Sequence, residues 1–328
     1  MIPVHTAAPA RGAESVWSSQ MSDRSPGSPP RATWVESTPP VPIIDAFVRT
    51  GFDGRALDVP MPRESLRDQE SLDAWPSTDV ASYLFRHDDD YDDRIATAND
   101  LDRWLANLDR WNIDKAHVPM PLDTELADFD RIAPFGDRVS VSLRVDPHEG
   151  MVAIRRLSEL AERYPFVRSV SLTPHAIYPF IPTNSREYYP IYAKCVELDL
   201  AAYVNVGFPG PRVPAWSQHP IHLDDVCWFF PELRVVMRHG GEPWVGECVK
   251  MLLRWPNLYY ATTGFAPRYY PREIIDFMNS RGREKVLYAG YWPTLSYERI
   301  LRELAALPLK EAVWPHFLRH NAERAFRL

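Results

Sequence analysis

The chain has 328 residues, 45% hydrophobic and 25% charged, enough to bury a large core. Lys and Arg number 37 against 44 Asp and Glu, a net charge of −7. No long basic run offsets it, which argues against nucleic acid or an anionic membrane as the main partner. Three dispersed cysteines (Cys195, Cys227, Cys248) make neither a disulfide framework nor a zinc knuckle, and a reducing cytoplasm is the expected location. No apolar run approaches the roughly 18 residues of a bilayer span.

In chain order, residues 1–40 are rich in Pro, Ser, Ala and Arg without periodicity and read as a disordered leader, with Met21 an alternative start. The apolar run Val41-Pro42-Ile43-Ile44-Asp45-Ala46-Phe47-Val48 reads as a buried parallel strand. A long loop is expected up to residue 98. Its acidic run Asp88-Asp89-Asp90-Tyr91-Asp92-Asp93 reads as a solvated face, with a cation site as the alternative. Asn99 or Asp100 can then cap a helix whose Leu101, Trp104, Leu105, Leu108 and Trp111 recur at helical spacing.

Further strands are expected at residues 115–120, 138–145, 167–172, 201–206, 234–238, 258–262 and 285–288. Helices are expected at 150–164, 187–200, 221–230, 244–254 and 272–281, and from Tyr297 and Val313. Eight strands alternating with helices predict a single α/β domain over 41–328, a closed (β/α)8 TIM barrel. An open doubly wound sheet is the alternative, but no G-x-G-x-x-G follows the first strand.

In a barrel the reactive groups lie at the C-terminal ends of the strands. That rule selects Arg49, Asn205 and Tyr291 as catalytic candidates at the ends of strands one, five and eight. His239 and Glu242, in Arg238-His239-Gly240-Gly241-Glu242-Pro243-Trp244, stand where a strand turns toward a helix. Imidazole and carboxylate there suit one iron, manganese or zinc ion. The alternative is a backbone-bonded His and a Glu favoured by a helix dipole. His219 lies in a proline-pinned loop, and His175 shares the inward parity of Ser171 and Thr173. The candidate metal set is therefore His175, His219, His239 and Glu242. Arg212, Trp216, Gln218 and Trp292 are candidate substrate contacts, and the arginines of this end, Arg238 and Arg268 included, suit phosphates. His87, His117, His148, His316 and His320 read as structural or exposed. No G-x-S-x-G elbow, Walker loop or H-E-x-x-H is present.

Ile43-Ile44-Asp45-Ala46, Phe230-Pro231-Glu232-Leu233-Arg234-Val235-Val236-Met237-Arg238-His239-Gly240-Gly241, Trp255-Pro256-Asn257-Leu258-Tyr259-Tyr260 and Asn321-Ala322-Glu323-Arg324-Ala325-Phe326 resemble the amidohydrolase-related family over residues 41–328. The resemblance implies a metal-dependent hydrolase barrel. It also implies His-x-His at the end of strand one, His on strand five and Asp on strand eight. Here those places read Phe47-Val48-Arg49, Asn205 and Gly290-Tyr291, and only His239 of strand six remains. Pro209-Gly210-Pro211-Arg212-Val213-Pro214, Gln218-His219 and Tyr288-Ala289-Gly290-Tyr291-Trp292-Pro293 are similar to a subgroup that lacks the His-x-His. That subgroup is related to TIM-barrel nonheme diiron monooxygenases of platensimycin-type diterpenoid biosynthesis.

The leading expectation is accordingly a nonheme iron monooxygenase, with one or two iron ions or zinc in their place. Its substrate is small, the CoA link being implied by the resemblance, and it needs dioxygen and an electron donor. A homo-oligomer is an open expectation. A metal-dependent hydrolase or decarboxylase is the alternative, and a catalytically inactive binding barrel the second.

Overall fold

The computed structural model describes residues 39–51, 61–75, 84 and 87–328. The expected leader, with Met21, lies outside them except for its last two positions. Eight parallel strands run β1 (Ile43–Asp45), β2 (Ile113–Pro121), β3 (Val139–Arg144), β4 (Val167–Leu172), β5 (Ala201–Asn205), β6 (Val235–Arg238), β7 (Leu258–Ala261) and β8 (Val286–Leu287), each paired with its neighbours in sequence. The ring closes where Ala46 N–H donates to Tyr288 O at 3.1 Å, Tyr291 N–H to Phe47 O at 3.2 Å and Arg49 N–H to Trp292 O at 2.9 Å. The expected barrel is present.

The helices expected from periodicity are present too. Leu101–Arg110 begins at Asp100, whose carboxylate accepts the Arg103 N–H at 3.0 Å. Three helices correct the sequence reading: Gln69–Ala74 and Tyr91–Ala98 inside the expected long loop, and Leu126–Ile132 between β2 and β3. Gln69–Ala74 and Tyr91–Ala98 bury one residue apiece and Leu126–Ile132 two, so none carries the apolar stripe that periodicity detects. The acidic run is exposed, with Asp88 paired to Arg94 at 2.7 Å and Asp93 to Arg103 at 3.1 Å. The helix expected from Val313 resolves into a π-helical turn, His316–His320, and the helix Asn321–Phe326.

Strand alternation puts Ile44, Tyr203, Val236, Ala261 and Leu287 inside the barrel. The final helix closes its N-terminal end. Phe326 stacks on His117 at 4.3 Å, and the His117 ring nitrogens meet Ser140 Oγ at 2.8 Å and Ser169 Oγ at 2.7 Å. Asn321 fixes this stopper by donating to Val286 O at 2.6 Å and Arg283 O at 2.9 Å. One end is thus filled and hydrogen-bonded, which leaves chemistry to the other.

Asp45 has the opposite parity and is fully buried among Tyr270, Tyr288 and Tyr297. Its carboxylate accepts the Phe47 N–H at 3.1 Å and the Gly290 N–H at 2.8 Å, tying β1 to the segment after β8. Burial outweighs these bonds and raises its pKa from 3.8 to about 7. A carboxyl with a raised folded pKa stabilises the fold below pH 4, and that contribution is lost as pH rises through 7. At about 1.4 kcal/mol per tenfold, the whole effect is on the order of 4 kcal/mol. Asp45→Asn keeps the acceptor and removes the charge. Its melting temperature relative to the wild type is therefore expected to climb between pH 5 and pH 8. A constant difference across that range contradicts this account.

Candidate functional site at the C-terminal barrel mouth

The inward parity that leads through Val236 delivers Arg238 to the end of β6. Its guanidinium carbon lies 5.0 Å from the centroids of both Phe47 and Tyr203, and its Nε donates to Asn205 Oδ1. The side chain is only 2% exposed, and its Nη1 has no hydrogen-bond partner among the described residues. Burial lowers its pKa to about 10, so it remains a cation at neutral pH. Arg144 ends β3, and its charge acts on both Arg238 and His175. Arg49 lies 4.9 Å from the Tyr291 ring centroid and donates to Thr294 Oγ1.

Two imidazoles stand among these cations. His175 Nδ1 is 3.1 Å from Gln218 Oε1 and 3.3 Å from Asn205 Nδ2, while Gln218 Nε2 donates to Gly207 O at 2.7 Å. With Nδ1–H given to the nearer oxygen, Nε2 carries the lone pair. Burial lowers the His175 pKa to about 4. The partly buried His239 has Phe47 and Tyr291 edge-on, with each ring centroid at 5.5 Å. It hydrogen-bonds the Thr263 backbone. Burial first, then the charges of Arg238, His175 and Arg49, hold its pKa well below the usual histidine value. Both rings are neutral at pH 7.

The turn that places His239 depends on glycine. His239, Gly240 and Gly241 have φ of 68°, 80° and 68°. A Cβ on Gly240 would lie 2.5 Å from the Phe265 ring, and one on Gly241 would lie 2.6 Å from Cys248 Sγ. Above the mouth, Met61 and Leu66 pack with Ala176, and Leu72 and Val213 join them, so residues 61–75 cover the loops after β4 and β5. Arg212 fastens this cover by pairing with Asp68 at 3.0 Å and Glu70 at 2.7 Å.

These positions correct the expected metal centre. Among the described residues no three of His, Cys, Asp or Glu form a group suited to a metal ion. His219 stacks on Trp244 at 4.1 Å and accepts the Ile221 N–H at 3.2 Å, while Glu242 feels the charge of Glu273. His175 and His239 share their enclosure with guanidinium groups, whose charges act on both rings. A divalent cation needs anionic or neutral donors, and three arginines repel it. The residues present therefore fit neither iron nor zinc. Of the expected substrate contacts, Gln218 borders the site. Arg212 serves the cover, Trp216 is 49% exposed, and Trp292 is buried against Tyr297 at 5.8 Å. Of the expected catalytic candidates, Arg49, Asn205 and Tyr291 all stand at the mouth. Sequence reading missed Arg144 altogether. The parity rule already applied to Ser171 would have found it.

A family model described as Amidohydrolase matches residues 83–328, so the chain belongs to the amidohydrolase family. No curated protein matches it. An uncharacterised TIM-barrel protein of Bordetella bronchiseptica superposes with a TM-score of 0.66 at 20% identity, over 87% of this chain and 98% of the other. A 5-carboxyvanillate decarboxylase of Novosphingobium aromaticivorans, complexed with manganese and 4-hydroxy-3-methoxy-5-nitrobenzoic acid, gives 0.59 at 17%, over 87% and 95%. A probable 2-pyrone-4,6-dicarboxylic acid hydrolase of Acinetobacter baumannii with citric acid bound gives 0.55 at 13%, over 88% and 100%. Together with the family match, the likeness to a decarboxylase and a probable hydrolase overturns the monooxygenase expectation. Among the described residues no helix is long and apolar enough to cross a membrane.

Gly240→Ala must meet both a positive φ and the Phe265 overlap, at a cost on the order of 3 kcal/mol. Urea unfolding checks this, and a loss below about 0.5 kcal/mol would show that the turn adapts freely.

Proposed function

We propose that the chain is an amidohydrolase-type hydrolase acting at the barrel mouth on a small organic acid. The observation that carries the reading is the neutral His239 ring, held against the Thr263 backbone beside Arg238, Arg49 and Asn205. A neutral imidazole can take a proton from water as the water oxygen bonds to a carbonyl carbon. The resulting oxygen charge forms in the field of the arginines, and the proton passes to the leaving oxygen as its bond to carbon breaks. Burial depresses His239 first and the arginine charges next, and a substrate carboxylate offsets the second of these, raising its basicity when substrate is present. Phe47, Tyr203 and Tyr291 supply faces and edges suited to a planar ring.

Decarboxylation, the reaction of the 5-carboxyvanillate relative, needs a proton donor for the carbon that loses carbon dioxide. The rings are neutral before substrate binds, whereas hydrolysis delivers a proton to the ring from the attacking water, which favours hydrolysis.

The test is a panel of carboxylate-bearing lactones and esters, including 2-pyrone-4,6-dicarboxylate, followed by proton release at constant pH. Aryl carboxylates are followed in parallel by carbon dioxide release. The expectation is proton release that His239→Asn lowers by about 10²–10⁴ in kcat. Carbon dioxide release without hydrolysis, or turnover of neither class, overturns the reading.

A further inference from the structure

The mouth holds buried donors with nothing to donate to. Arg238 Nη1, Ser171 Oγ, Tyr203 OH and Thr263 Oγ1 lack hydrogen-bond partners among the described residues, and each belongs to a residue at most 3% exposed. They come from β6, β4, β5 and the turn after β7. Ser171 is the register partner of Tyr203, and Asn205 that of Arg238. Strand alternation turns the three strand residues inward. A buried donor left unmade costs about 1–3 kcal/mol, and a charged one more. Arg238 has no carboxylate partner among the described residues, although its Nε is fixed by Asn205 and its face by Phe47 and Tyr203. The guanidinium is held at its Nε and against two mutually edge-on rings, which leaves the Nη1 N–H groups to meet an acceptor from a ligand.

We propose that Arg238 Nη1, with the Ser171 and Tyr203 hydroxyls beneath it, seats a carboxylate of the substrate in a barrel that works without a divalent cation. The cationic site occupies the strand ends where the family resemblance calls for metal ligands, with Arg49 after β1, Asn205 on β5 and Tyr291 after β8. The guanidinium supplies a fixed positive charge and directed N–H bonds to an oxyanion, the task a metal ion would otherwise perform. Arg144 adds to the attraction by its field. The cover of residues 61–75 then excludes water from the paired charges, which strengthens their attraction. This inference rests on the reading of a small acid as substrate, and adds which group of the acid is held and by what.

Binding tests it separately from turnover. Full-length protein is dialysed against EDTA and titrated calorimetrically with benzoate, citrate and the neutral isostere benzamide, before and after addition of manganese chloride. Benzoate or citrate is expected to bind at least tenfold more tightly than benzamide, with the same Kd in EDTA and in manganese. Arg238→Gln is expected to weaken the acid at least tenfold and leave the benzamide value within twofold. Circular dichroism checks that this variant is folded. If it is not, the comparison of acid with amide in the wild type decides alone. Acid binding that requires manganese, equal affinity for acid and amide, or no binding of either acid overturns the site. A failed hydrolysis panel with acid binding intact would remove the reaction and leave the site standing.

Discussion

Placing the Arg238 charge inside a barrel, with no carboxylate to meet it among the described residues, is the constraint on which the rest of the mouth depends. Moving a cation from water into a protein interior costs several kcal/mol even after relaxation. The chain offsets part of that cost with two aromatic faces and the Asn205 oxygen. It leaves the Nη1 group without a partner among the described residues. Asn205 is then committed, since the same amide faces Arg238 with its oxygen and His175 with its nitrogen. Gln218 takes up the His175 Nδ1 and anchors itself on Gly207. A chain of side-chain contacts thus runs from Arg238 on β6 through Asn205 on β5 and His175 after β4 to Gln218 in the loop after β5, fixing four side chains around one charge.

This arrangement explains why the two histidines cannot be read as the metal ligands of a hydrolase barrel. A ligating imidazole needs a lone pair aimed at a cation and carboxylates nearby to share the positive charge. Here the neighbouring charges are positive, and burial first, then those charges, lower both rings. Among the described residues no carboxylates gather with these rings into a metal-holding group, and Asp45 lies behind the strand among tyrosines. The substitution of Arg49 for a ligand at the end of strand one is therefore part of a consistent change of sign across the whole mouth.

Much of the architecture was legible in the sequence because its signal is local. The apolar run of residues 41–48 marks a buried strand, the alternation of Val139, Val141 and Leu143 with Ser140 and Ser142 marks another, and Leu101, Trp104, Leu105 and Leu108 mark a helix by spacing alone. Helix Tyr91–Ala98 escaped notice because it carries no comparable stripe, and its acids obscure it. At the site, strand ends located Arg49, Asn205, His175 and Tyr291. The error lay in treating His219 and Glu242 as their partners. Spacing along the chain placed both near the mouth, but the stacking of His219 on Trp244 and the path of the Gly240-Gly241 turn are tertiary facts. Residue type also misled. Histidine beside glutamate suggests metal until the arginines that share the same enclosure are counted.

The stopper at the other end belongs to the same logic. A cationic mouth gains strength only if the dielectric beneath it is low, and water admitted from below would screen Arg238 from any anion above. Phe326 packs against both His117 and Tyr203, and Tyr203 in turn carries the face on which Arg238 lies. Beneath that level, His117 with Ser140, Ser142 and Ser169 satisfies its own hydrogen bonds without an ionised group, burial holding the ring neutral with a pKa of about 3. Polar character is thus graded along the barrel axis, from a closed and satisfied layer to one with donors to spare. An acidic ligand is drawn to the end where the donors are unmet, and the C-terminal Asn321–Phe326 helix, far from any reacting atom, helps to keep that difference in place.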